Sequence, residues 1–62
     1  MAMQVIIYAE YGEAFAEWID ECGTEHEKYL GEVSEDWLEN KAEVYFSKLL
    51  GEEITIELVF NR

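Results

Sequence analysis

Fifteen carboxylates against four cations give this 62-residue chain a formal net charge of −11. So many acids could serve general acid–base catalysis, metal ligation or electrostatic binding. Acid–base work needs a carboxyl whose pKa is raised in a water-poor pocket. A chain this short can scarcely enclose the roughly 300 Å³ of a substrate pocket and keep a core as well. Nucleophilic catalysis has few candidates: two serines, two threonines, Cys22 and His26. Ser34 and Thr24 are better explained as helix caps. There is no glycine-rich phosphate loop, Walker motif or zinc-protease motif. The chain therefore reads as non-enzymatic and without a cofactor.

Cys22 and His26, four residues apart with Glu25 and Glu27 nearby, have the spacing of half a zinc site. A structural site takes four ligands, and the chain has no second Cys/His pair unless a symmetric dimer supplies one. Gly23 also interrupts the helix that would align them, so Cys22 reads as a small core residue and no metal is expected. The alternating acids of an EF-hand loop are absent too.

That leaves binding, and the distribution of charge is the strongest sign of it. Residues 10–39 hold eleven acids and only Lys28, whereas residues 40–62 hold four acids with Lys41, Lys48 and Arg62. A patch of this sign repels nucleic acid and anionic membranes and attracts basic protein surfaces. If residues 13–22 form a helix, Glu13, Glu17, Asp20 and Glu21 lie opposite its apolar stripe. Glu13, Glu17 and Glu21 then make a ladder of like charges at i,i+4, which costs a few tenths of a kcal/mol per pair. Glu25 and Glu27 continue the patch, and Glu10, Glu32, Glu35, Asp36 and Glu39 extend it. Ordinary surfaces mix both signs, so a solvated helix face explains this run poorly. Trp37, beside Lys41, Val44 and Lys48, is either the rim of a small core or an aromatic anchor for a partner.

The elements that must position these groups follow from periodicity. Residues 4–9 form a β-rich run with apolar side chains on both sides, and residues 53–60 alternate, so both read as strands. Over residues 13–22, Phe15, Trp18, Ile19 and Cys22 recur at i, i+3, i+4 and i+7, which predicts a helix ended by Gly23. Thr24 and Glu27 match a capping box, predicting a short helix that Gly31 closes. Ser34, with Glu35 and Asp36 in the first turn and a Val33–Leu38 staple, starts a third helix. That helix runs to about Leu50, is stopped by Gly51, and buries Leu38, Ala42, Tyr45, Phe46 and Leu49.

The expected fold is a single α+β domain over residues 1–62, ordered β-α-(short α)-α-β. Its two terminal strands pair antiparallel, with the helices packed on one face. Such a sheet is marginal alone, and its first strand is apolar on both sides. Either a second subunit, making a homodimer, covers that strand's other face or its edge, or the short central helix folds over it. No apolar run approaches the ~20 residues of a membrane span and no secretory signal is visible; with a single cysteine, the chain reads as cytoplasmic.

In length, acidity and lack of catalytic residues, the chain is similar to the small phage-encoded inhibitors that include anti-restriction and anti-CRISPR proteins, a resemblance of composition that covers no motif. It implies an acidic mimic of DNA that occupies the basic cleft of a nucleic-acid-binding protein in the host cytosol. Glu13, Glu17, Asp20, Glu21, Glu25 and Glu27 are its expected phosphate surrogates. The alternative is a small adaptor, antitoxin or immunity-type protein that binds a basic partner through an apolar patch, Trp37 included, or through an edge strand.

Overall fold

Both ends of the chain form strands, as their β-branched content requires, but two further strands stand between them where helices were expected. The computed structural model describes residues 3–61; Arg62, one of the four cations, lies outside them. Three strands, β1 (Met3–Glu10), β2 (Glu13–Ile19) and β3 (Glu25–Glu32), precede two helices, α1 (Glu35–Asn40) and α2 (Ala42–Leu50), and a last strand, β4 (Ile54–Asn61). They form one mixed sheet in the order β3-β2-β1-β4.

The two-stranded antiparallel sheet is thus overturned, and the terminal strands β1 and β4 pair parallel. The physical reason is the number of passes between them. Two long helices would make two passes between β1 and the last strand, which would leave that strand antiparallel to β1. Instead β2 and β3 make two passes in a meander, and the helical segment makes a third. β4 therefore starts at the same end as β1.

The helix expected at 13–22 is the strand β2. Its helical spacing of Phe15, Trp18, Ile19 and Cys22 competes with an alternation in which Ala14, Ala16 and Trp18 share one side. The two alanines are fully buried, whereas Phe15 and Ile19 are exposed. The short helix expected at 24–30 is β3, so the Thr24–Glu27 capping box caps nothing. β1 and β2 are joined by Tyr11 and Gly12, both at positive φ (50° and 81°). That is the two-residue hairpin turn whose twist matches the flanking strands.

The third helix forms where expected, although Lys41 (φ −119°) divides it into α1 and α2. Ser34 caps it, its side chain accepting from the Trp37 amide at 3.1 Å. Gly51, at φ 69°, ends it. Leu38, Ala42 and Phe46 are buried against Val5, Ile7, Ala14, Ala16 and Ile54 of the sheet. Tyr45 and Leu49, expected in that stripe, are 37% and 50% exposed. The helices press a narrower line, at i, i+4 and i+8, onto a sheet whose central alanines let them approach closely. Phe46 fills the middle, edge-on to Trp18 at 5.6 Å between ring centroids.

Candidate functional site

All the helices lie on one side of the sheet, and no described residue covers the other. β1's second face is therefore open, since the central helix proposed to cover it is itself a strand. Because side chains alternate along each strand, registration places four ranks of residues on that face. One rank crosses the sheet as Glu27, Glu17, Ile6 and Glu57; the next as Tyr29, Phe15, Tyr8 and Val59; the next as Glu32, Glu13 and Glu10. Beyond the first rank, Ile19 pairs with Glu25 and Gln4 with Thr55. The result is an aromatic band between two acidic ranks.

The band is built, not incidental. Phe15 and Tyr29 rings sit 5.1 Å apart, and the Tyr29 hydroxyl donates to Glu13 Oε1 at 2.8 Å. This hydrogen bond, with some desolvation and the nearby charges of Glu13 and Glu32, raises the Tyr29 pKa above its ordinary value of 10.0. Beside the outer acidic rank lies a shallow groove of about 420 Å³, whose lining includes Gln4, Ile6, Glu17, Ile19, Glu25 and Glu27.

Within these ranks glutamates face glutamates. Glu17 is registered opposite Glu27, and Glu13 opposite both Glu10 and Glu32. Like charges directly across a ladder are destabilising. No cation among the described residues relieves them, because Lys28 is registered with the buried Ala16 and so belongs to the helical side. Lys41 and Lys48 are on the helical segment.

Of the residues singled out from the sequence, the sheet brings Glu13, Glu17, Glu25 and Glu27 onto this one face. The i,i+4 helical ladder does not exist; Glu13 and Glu17 share a face because four is also an even number. Asp20 and Glu21 leave the array. Asp20 organises the β2–β3 turn, its Oδ1 accepting from the amides of Cys22 and Thr24, both at 2.9 Å. Its Oδ2 meets His26 Nε2 at 2.8 Å, and the His26 ring stacks on Trp18 at 5.4 Å. The His26 hydrogen bond leads the contacts that pull the Asp20 pKa below its ordinary value. Glu21 lies with Glu52 beside a separate groove, and the neighbouring Glu21 carboxyl is the main cause that raises the Glu52 pKa.

Cys22, expected in the core, is exposed in the same turn, and among the described residues no three His, Cys, Asp or Glu side chains converge as a metal site. Trp37 lies half-buried on the helical side, 5.5 Å from the Tyr45 ring, away from the acidic face. Sequence reasoning missed the aromatic members Tyr8, Phe15 and Tyr29, and missed Glu57. Their signal was the alternation Glu13, Phe15, Glu17, Ile19, which the helical period masked.

No helix among the described residues is long and apolar enough to cross a membrane. Comparison with protein-family models, with curated proteins and with solved structures finds no match to this chain.

Proposed function

We propose that this protein is a non-enzymatic inhibitor whose open sheet face imitates nucleic acid and blocks the basic cleft of a nucleic-acid-binding protein. One observation carries the reading: the face opposes glutamate to glutamate across neighbouring strands, at a cost to its own stability, and holds no cation among the described residues. A surface serving only solubility would gain from mixed signs. A surface that must present uniform negative potential cannot use them.

The dimensions support the same reading. Glutamates on adjacent strands of a rank are about 4.8 Å apart, and the two acidic ranks are separated by four residues of strand, about 13 Å. A duplex major groove is about 12 Å wide between its phosphate borders. The aromatic band occupies the position of the groove floor, offering π-faces and a phenol to the arginines that read bases. The target is then a cytoplasmic nucleic-acid-binding protein, in an infected host if the chain is phage-encoded.

The test is a competition assay with charge-reversed variants. Glu17→Lys with Glu27→Lys should abolish binding to the target and leave the fold intact. Wild-type binding should fall as salt rises, because exposed charges are screened beyond about 8 Å at physiological ionic strength. Target-bound nucleic acid and this protein should exclude each other. A stable ternary complex, unaffected by the two reversals, would replace the mimic with an adaptor.

A further inference from the structure

The two edges of the sheet are treated differently by the sequence. Edge strands template unwanted pairing unless charges, bulges or coverings blunt them. β3 is blunted: it carries Glu25, Glu27, Lys28 and Glu32, and Leu30 and Gly31 bulge opposite Ala14. β4 has one charged residue, Glu57, with no proline and no register break against β1. Among the described residues its outer edge has no strand partner, so a row of backbone donors and acceptors stands open along it.

A groove of about 410 Å³ runs beside this edge on the helical side. Its floor is Leu38, Ile54, Ile56 and Leu58, and its rim is Glu39, Glu43 and Glu53. No cation lines it. A strand added to β4 would direct every second side chain into this groove. Long basic side chains suit it: their aliphatic stems lie on the apolar floor and their charged heads reach the glutamate rim.

We propose that β4 accepts an extended segment of a partner protein with Lys or Arg at alternate positions, added as a fifth strand by backbone pairing. The site is separate from the open face and does not depend on the mimic reading. Charge complementarity selects this occupant over a second copy, which would set Glu39, Glu43 and Glu53 against their own counterparts.

The probe is a synthetic eight-residue peptide alternating lysine with valine, titrated into the folded protein and followed by backbone amide NMR shifts. Shifts should concentrate in Ile54–Asn61, Glu39 and Glu43. An added strand pairs through alternate residues only. N-methylation of every second residue should therefore abolish binding in one phase and spare it in the other. Glu39→Lys with Glu43→Lys, both on exposed helix positions, should weaken the peptide about tenfold, as expected for two exposed ion pairs reversed. Glu17→Lys with Glu27→Lys should leave peptide binding within about twofold, so failure of the open-face reading is read separately. Equal binding by both N-methylated phases would show attraction without strand addition and overturn the proposal. So would shifts confined to the open-face ranks, or a wild-type dimer that protects the β4 amides.

Discussion

Reversing the charge of Glu17 should stabilise the protein, and the size of the gain follows from its register. Glu17 faces Glu27 across the β2–β3 ladder. Two carboxylates roughly 5 Å apart in water repel by about 0.8 kcal/mol. Glu17→Lys turns that repulsion into attraction and lays an aliphatic stem beside Ile6, its neighbour on β1. After screening and the entropy of holding two long side chains together, the net gain should be about 0.5–1 kcal/mol. In a domain of this size that raises Tm by about 2–8 °C. Glu27→Lys alone should behave alike. The double variant, in which lysine faces lysine, should return close to wild type, because the pair is again of one sign. Thermal unfolding followed by far-UV circular dichroism at about 0.02 M and about 0.5 M salt measures all four proteins, with the differences shrinking at high salt. If positions 13–22 were a helix, positions 17 and 27 would be uncoupled and the two gains would add. Additive gains, or a Glu17→Lys protein that melts below wild type, would refute the register on which the open face is built.

Phe46→Ala empties the centre of the core, where Phe46 is fully buried; a loss of about 3–5 kcal/mol should leave a domain this small largely unfolded, read as lost near-UV ellipticity. Tyr11→Asn should stabilise by roughly 1 kcal/mol in urea unfolding, because Tyr11 holds φ 50° in the hairpin turn with its side chain 83% exposed and asparagine tolerates that conformation better. Asp20 has a folded-state pKa depressed below 3.8, chiefly by His26 and the Thr24 amide, so its contribution is present above the unfolded pKa and is lost as pH falls through the folded one. Asp20→Asn should therefore melt below wild type at neutral pH, with the gap closing below pH 3.8; a gap that persists or widens in acid would mean that the turn does not depend on the carboxylate.

Part of this molecule is decided within short stretches of chain, and those parts were legible. Ser34, followed by Glu35 and Asp36, starts the helical segment and Gly51 stops it, both acting on backbone groups within one turn. The β-branched runs at the two ends read as strands, and the crowding of carboxylates into residues 10–39 is a property of composition alone. Residues 13–22 are different. Phe15, Trp18 and Ile19 satisfy the helical period, while Ala14, Ala16 and Trp18 satisfy the strand period, and alanine's good helix propensity favours the wrong choice. Only the tertiary structure decides between them. A helix satisfies its own hydrogen bonds, whereas β2 needs β1 on one side and β3 on the other, partners that lie elsewhere in the chain. Once β2 and β3 are strands, the number of chain reversals makes the terminal strands parallel. Glu13 and Glu17, which would have laddered along a helix, instead join ranks across an open sheet. That they are acids was written in the chain; that they face one another around Tyr29, Phe15 and Tyr8 is a consequence of pairing between distant segments, which no local pattern encodes.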